Sequence, residues 1–272
     1  MFGVEFLPQN LANDVALLDS MWKGAKRYLH KTLDFVLVPA SPRKKASVEA
    51  LLGAYMLRQR MPHIQFVPTL SGGGCVGEAG KIRLKAELLG VQYAGFDTIA
   101  LIGGEDGGIN GIELISLARE ILGEKVRIIS GSGTLTDKAS RERLEKKLKA
   151  GADKIITQPL FSAQEAQVFL QHFESIAQSG GYEVEAFIGV FGIFHLESVR
   201  RINEANLGFK IPQAYIDAMV SGKQNEGDKH IGRSAFETLW QEICEVAQKH
   251  NASLYLSTPK HNDLRVYGNF KV

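Results

Sequence analysis

Glu5 stands between Val4 and Phe6 in a short apolar run near the start of the chain. A carboxyl group whose neighbours must face a core or a helix layer points into the mouth of the structure they build. Partial desolvation there suits it to general acid work. The plainer alternative is a carboxylate paired with Lys or Arg to tie the fold down. Gln158 ends the run Ile155-Ile156-Thr157. A carboxamide offers two donors and an acceptor, which suits a planar heterocycle with an amide edge. It could equally bond a loop backbone. Three glycine-rich stretches let backbone N–H groups approach a phosphate: Ser71-Gly72-Gly73-Gly74, Gly103 through Gly108, and Gly131-Ser132-Gly133. None has P-loop spacing, and glycine in a loop is often only turn chemistry. Lys146, Lys147 and Lys149 bring cations late in a helical segment, where the plain reading is a solvated face or a helix C-terminus.

Other reactive types carry less. Cys75, in Gly74-Cys75-Val76, has no histidine placed near it by sequence, and a reactive thiol needs a lowered pKa. The seven histidines show no His-x-x-x-His or His-Glu pattern, so no metal site is expected. His195 could face a site, whereas His250 reads as a helix C-terminal cap.

These residues need elements to position them. Eight short apolar runs recur: Val4–Leu7, Asp34–Pro39, Ile64–Thr69, Thr98–Gly103, Val126–Ser130, Lys154–Gln158, Glu185–Val190 and Ser253–Ser257. Most are continuous rather than alternating, as in strands buried on both faces of a parallel sheet. Helical patterns lie between them, over 11–30, from a cap at Ser47 through Gln59, and over Lys81–Tyr93, Ile112–Ile121, Lys138–Ala150, Ala163–Ile176 and Leu196–Ala205. The longer gap before the last strand has room for two helices, near Pro212–Val220 and Ile231–His250, split by the polar segment Ser221–Lys229. Strand starts recur at roughly 30 residues, the length of a βαβ unit. Eight such units in 272 residues predict an α/β fold: a (β/α)8 TIM barrel in a single domain over 1–272, with an enlarged segment over 206–252. An open doubly wound sheet is the other arrangement considered. The lack of Gly-x-Gly-x-x-Gly after the first strand weakens its dinucleotide-binding version. In a barrel the site lies at the C-terminal strand ends, where Glu5, Gln158 and the glycine stretches fall.

Composition narrows the classes. Thirty-two Lys+Arg stand against 30 Asp+Glu, a net charge of +2, too small to point to nucleic acid or a membrane surface. The hydrophobic share of 44% can fill a core, and the longest apolar run, Ala186 to Phe194, is about half the roughly 18 residues of a spanning helix. Two cysteines make no disulfide framework, and the start lacks the basic and apolar regions of a signal peptide, so a cytoplasmic location is expected. A homo-oligomer is left open, with no heptad or large apolar stripe marking an interface.

Several segments in order resemble the methylenetetrahydrofolate reductase family. Val4-Glu5-Phe6-Leu7-Pro8 is similar to its first strand, and Asp34-Phe35-Val36-Leu37-Val38 to its second. Val67-Pro68-Thr69-Leu70-Ser71 lies where the family has Pro-His-Leu-Thr. Leu84 through Gly90 resembles its third helix. The closest block is Lys146-Lys147-Leu148-Lys149-Ala150-Gly151-Ala152-Asp153-Lys154-Ile155-Ile156-Thr157-Gln158, followed by Phe161. Gly208-Phe209-Lys210-Ile211-Pro212 and Leu254-Tyr255-Leu256-Ser257-Thr258 continue to the last strand.

The resemblance implies a flavin-dependent barrel that reduces 5,10-methylenetetrahydrofolate to 5-methyltetrahydrofolate, with hydride passing from NAD(P)H through FAD. Glu5 would be the acid that protonates the N10 leaving nitrogen. Gln158 would bind the pterin, with Phe191 and Thr258 on the substrate side. Lys146 and Lys147 would lie near the flavin diphosphate, with Thr69, Gly104 and Ser130 as further cofactor contacts. The flavin side departs from the family. Its Arg-Gly-Asp reads Ile102-Gly103-Gly104, with Glu105 or Asp106 nearby. Its strand-three His is Thr69, and its strand-two exit is Pro39-Ala40-Ser41. The residues after strand five are Ser130-Gly131-Ser132-Gly133, and prolines after strand seven become Gly189 and Gly192. Either glycine backbones replace side-chain contacts to a flavin, or the protein is a folate-binding relative without a tightly held flavin, acting in one-carbon transfer.

Overall fold

The computed structural model describes residues 1–40, 46–104, 108–205, 207–226 and 232–257, side chains at 25, 27, 28 and 222–226 excepted. Eight parallel strands close into a barrel in chain order: β1 (Phe2–Glu5), β2 (Phe35–Val38), β3 (Gln65–Ser71), β4 (Thr98–Ile102), β5 (Arg127–Ser132), β6 (Lys154–Thr157), β7 (Glu185–Phe191) and β8 (Ser253–Ser257). β8 pairs back with β1, Tyr255 opposite Gly3. Between the strands run α1 (Leu11–Tyr28), α2 (Ala50–Arg60), α3 (Gly77–Tyr93), α4 (Gly111–Leu122), α5 (Lys138–Lys149), α6 (Ala163–Gly180), α7 (Leu196–Glu204), α8 (Gln213–Glu226) and α9 (Arg233–Lys249). This is the (β/α)8 barrel that the strand spacing predicts.

Continuous apolar strands suit this wall because both faces are covered. One set of alternating side chains, with Val4, Val36, Ile99, Ile128, Ile155, Ile188 and Leu254, packs under the helices. The other set, Phe35, Leu37, Val67, Ala100, Ile129, Ile156, Phe187 and Tyr255, fills the barrel itself. At Gly3 a Cβ would strike the Phe35 ring, so glycine here lets a large β2 side chain take up space on the β1 side. Phe35 packs edge-on to Phe187 with centroids 5.2 Å apart and parallel to Tyr255 at 6.2 Å. Polar pairs seal the N-terminal end of the barrel. The Met1 amino group donates to Ser253 Oγ at 2.9 Å, Ser253 donates to Glu185, and Lys154 lies 3.2 Å from Glu185.

Element ends follow local chemistry. α2 begins at Ala50, later than a cap at Ser47 predicts. The Glu49 carboxylate accepts from the N–H groups of Leu51 and Leu52 instead. An anion at a helix N-terminus is favoured by both the free donors and the dipole. α3 begins at Gly77, four residues before the sequence pattern, and α8 runs to Glu226, into the polar segment expected to split the two helices. His250 does terminate α9, with Nδ1 2.8 Å from Glu174. Arg119 fastens the β5 and β6 entries. It donates to the carbonyls of Gly123, Val126 and Gly151 and pairs with Asp153 at 2.5 Å.

Candidate functional site at the C-terminal mouth of the barrel

Strand alternation sorts the barrel-facing residues into layers, and such layers normally hold bulky branched side chains. The upper apolar layer is Leu37, Ala100, Ile156 and Tyr255. Two residues further along the odd strands come Glu5, Thr69, Gly131 and Gly189. This next layer is half glycine: a Cβ at Gly131 would meet nothing within 4 Å, whereas one at Gly189 would come 2.8 Å from the Thr157 carbonyl, so the open space lies on the β5 side. The barrel is therefore hollow at its mouth, with an apolar floor and polar groups from β1 and β3. Ile102, 50% exposed, adds an apolar patch at the β4 exit.

Glu5 is half-buried, and its Oε2 accepts a hydrogen bond from the Tyr255 hydroxyl at 3.0 Å. Burial pushes the Tyr255 phenol well up, and the Glu5 charge and the hydrogen bond add to this. The phenol thus stays protonated and remains a donor. Sequence reading passed over Tyr255, because an aromatic within an apolar strand reads as core. The signal available was alternation: Leu254 and Leu256 face the helices, so Tyr255 faces the barrel. Thr69 is 2% exposed and lies on the barrel side with Val67. Its Oγ1 has no hydrogen-bond partner among the described residues. An unsatisfied buried hydroxyl costs free energy that a ligand can recover.

Gln158 follows Ile156 on the same side of β6 and is half-buried. Its backbone N–H donates to Ser132 O at 3.0 Å, leaving the carboxamide as the group presented to the mouth. Gly208 lies close enough that a Cβ there would come 3.1 Å from Gln158 Nε2, at a φ of +82° that favours glycine. Beside it stands an aromatic wall. Phe191 packs edge-on to Phe209 at 5.5 Å, and Phe161 lies 6.2 Å from Phe209 and 5.4 Å from Tyr215. Phe191 is buried in this wall at 5% exposure, so it shapes one side of the site rather than standing free.

The two lysines part company. Lys147 reaches along the barrel to donate to the Gly131 carbonyl at 2.6 Å, close to Gly111 at the start of α4. Burial, aided by the nearby Arg143 charge, pushes its ammonium pKa down. Lys146 is exposed on the outer surface of α5 and is not brought to the mouth. Ser130 alternates with Ile129 and faces the helix layer, buried at 1%. Gly104 serves loop packing. Its N–H donates to Ile109 O at 2.8 Å, and a Cβ there would meet the backbone of Gly72 and Gly73. Thr258, Glu105, Asp106 and Ser41 lie outside the described residues. Among the described residues no cluster of three His, Cys, Asp or Glu could hold a metal ion, and no helix is long and apolar enough to cross a membrane.

The residues fit an elongated, diphosphate-bearing cofactor in part. Open space at Gly131 and Gly133, the Lys147 cation and the unpartnered Thr69 hydroxyl suit one across the β3–β5 exits. The Gly104 amide, already used, contributes nothing to it.

Fold and site together define a (β/α)8 barrel with a carboxyl group at the exit of strand one and a carboxamide at that of strand six. Residues 133–264 match the family model described as methylenetetrahydrofolate reductase, so the likeness to that family is shown over this stretch. The stretch includes Lys146, Lys147, Gln158 and Phe191; Glu5 and Thr69 precede it. The fold is shared with an uncharacterized protein from Clostridium thermocellum that binds two copies of 5-methyl-5,6,7,8-tetrahydrofolic acid. The TM-score is 0.70 at 11% identity, over 98% of this chain and 90% of that one. No curated protein sequence matches the chain.

Proposed function

We propose that this protein is a methylenetetrahydrofolate reductase-like oxidoreductase, reducing 5,10-methylenetetrahydrofolate to 5-methyltetrahydrofolate with NAD(P)H as hydride donor. The observation that carries the reading is the Glu5 carboxyl, held by Tyr255 in a barrel layer that is open at Gly131. The tetrahydrofolate bound by the Clostridium thermocellum protein, on the same fold, supports a folate as the ligand.

In this reading Gln158 pairs with the amide edge of the pterin through its carboxamide. Phe191 and its aromatic neighbours bound the ring. Glu5 gives its proton to N10 as the C–N10 bond of the five-membered ring breaks. Charge on the leaving nitrogen is thus quenched as it forms. Tyr255 then donates to the carboxylate left behind. Thr69 and Lys147 are the residues that would hold the polar parts of FAD, with Lys147 supplying the cation for its diphosphate. FAD, when bound, supplies hydride transfer from NAD(P)H to the one-carbon unit. Two free cysteines, one buried, suit the reducing cytoplasm.

A second reading, a folate-binding one-carbon protein without flavin, draws on the locked β3 and β4 loops, where Gly104 has no amide to spare. Visible absorbance separates the two. Purified protein, or protein incubated with FAD and desalted, carries flavin colour on the first reading. A colourless protein that binds 5-methyltetrahydrofolate selects the second. On the first reading Glu5→Gln binds 5-methyltetrahydrofolate but loses turnover about 10²–10⁴-fold, the usual worth of a positioned acid. Retained turnover would remove Glu5 from the mechanism.

A further inference from the structure

The sheet pattern breaks at the exit of β6, beside Gln158. Strands β6 and β7 pair in register as far as Ile156 opposite Phe187. Glu185 N–H donates to the Asp153 carbonyl at 3.2 Å, which sets the alternation of this parallel ladder. Carried on to Gly189, the same alternation asks the Gly189 carbonyl to accept from the N–H of residue 159. That residue is Pro159, which has no N–H to give. The bond is made one residue late: Leu160 N–H donates to the Gly189 carbonyl at 2.9 Å. Gly189 N–H in turn donates to the Thr157 hydroxyl at 2.7 Å, in a buried bond. The extra residue is taken up at Gln158 and Pro159. A Cβ at Gly189 would come 2.8 Å from the Thr157 carbonyl and 3.2 Å from that of Gln158, so this junction needs a glycine on β7.

We infer that Thr157 is a positioning residue for Gln158: its hydroxyl ties the β6 exit to Gly189 and so fixes where the carboxamide stands. The inference rests on the reading of Gln158 as the group that meets the pterin. Thr157 does not line the mouth. It is 5% exposed and by alternation faces the helix layer with Ile155, while Gln158 follows Ile156 to the barrel side. Gln158 is held from both neighbouring strands. Toward β5 its own N–H donates to the Ser132 carbonyl at 3.0 Å. Toward β7 the ties are the Thr157 hydroxyl before it and the Leu160 N–H after it. Pro159 also disfavours helical backbone at the residue before it, which keeps Gln158 extended. The side chain has little slack at its far end, where a Cβ at Gly208 would come 3.1 Å from Nε2. A carboxamide that reads a planar edge must align a donor and an acceptor together, so a small shift of its backbone weakens both bonds. Valine would fill the same buried place in β6; the hydroxyl is what reaches Gly189.

Calorimetry of the full chain with 5-methyltetrahydrofolate tests this. Thr157→Val keeps the shape but removes the acceptor, and should weaken binding about tenfold, within the reach of coupling between neighbouring residues. Thr157→Ser keeps a hydroxyl and should bind within about twofold of wild type. In a Gln158→Ala background, itself weakened, Thr157→Val should cost no more than about a further twofold, because the group it positions is gone. Urea melts check that each variant folds, and Thr157→Ala makes the same comparison if valine is not accommodated. Losses that add in the double variant overturn the inference and leave Gln158 in its role. So does a Thr157→Ser chain as weak as Thr157→Val, or a Thr157→Val chain that binds like wild type. A Gln158→Ala chain that binds like wild type overturns the pterin-reading role itself, and the inference with it.

Discussion

The Tyr255 hydroxyl donates to Glu5 Oε2 at 3.0 Å, joining the apolar floor of the barrel to the carboxyl group at its mouth. Tyr255 sits opposite Gly3 on the adjoining strand, where the Phe35 ring takes the space over the glycine and lies parallel to the tyrosine ring at 6.2 Å. The pairing fixes the Oε2 oxygen of Glu5 at the exit of β1.

Removing the hydroxyl tests that relationship. Tyr255→Phe keeps the ring and its packing on Phe35, so the fold should survive with a loss of about 1–3 kcal/mol, the worth of a hydrogen bond to a charged group. Turnover should fall while the affinity for 5-methyltetrahydrofolate stays within a few-fold. Urea titration and steady-state kinetics measure the two separately. An unchanged kcat would deny Tyr255 any part in setting up Glu5.

Adjacent lysines should behave differently. Lys147→Met removes the cation near the β5 exit and should weaken FAD binding about tenfold or more, whereas Lys146→Met, on the outer face of α5, should leave it unchanged. Equilibrium dialysis with FAD reads both. Equal effects would mean that charge in bulk, not position, attracts the cofactor.

The hollow layer can be refilled. Gly131→Leu places a side chain where a Cβ meets nothing within 4 Å, so the melting temperature should hold. The added volume projects into the mouth, and binding of 5-methyltetrahydrofolate should drop by at least tenfold in calorimetry. Full binding would place the ligand elsewhere.

Alkaline pH should loosen the fold through Cys244. Burial pushes this thiol up from 9.0 to about 11. Between those values the unfolded chain loses its proton while the folded one keeps it, so stability is intact below about 9 and is lost as pH rises toward 11. The shift corresponds to roughly 2–3 kcal/mol. Urea midpoints across that range should fall more steeply for the wild type than for Cys244→Val. Parallel slopes would refute the assignment.

The strands were legible where burial on both faces made them continuous. β8 spans Ser253–Ser257, the apolar run seen in the sequence. β1 was harder. Its pattern begins at Val4, but pairing to Phe35 and Leu254 draws the strand back to Phe2, since register is a property of the partners. Ser47 looked like a cap because serine usually is one; only the loop's path shows that Glu49 reaches the amides. Position 5 could be read from its neighbours. The Tyr255 contact could not, because it joins residues 250 apart in sequence. The difference between Lys146 and Lys147 is a single step around a helix, invisible without knowing which side faces the barrel.

The interlock of Gly72, Gly104 and Gly108 has a consequence for how this site can change. Ile109 N–H donates to Gly72 O, Gly104 N–H donates to Ile109 O, and a Cβ at any of the three glycines would collide with backbone. Those three positions are closed to drift: no ordinary side chain can be introduced at them without displacing backbone. Novelty in ligand choice must therefore accumulate on the opposite arc, among the residues after β5, β6 and β7. A library built to redirect specificity should leave the glycine arc alone and randomise that far side.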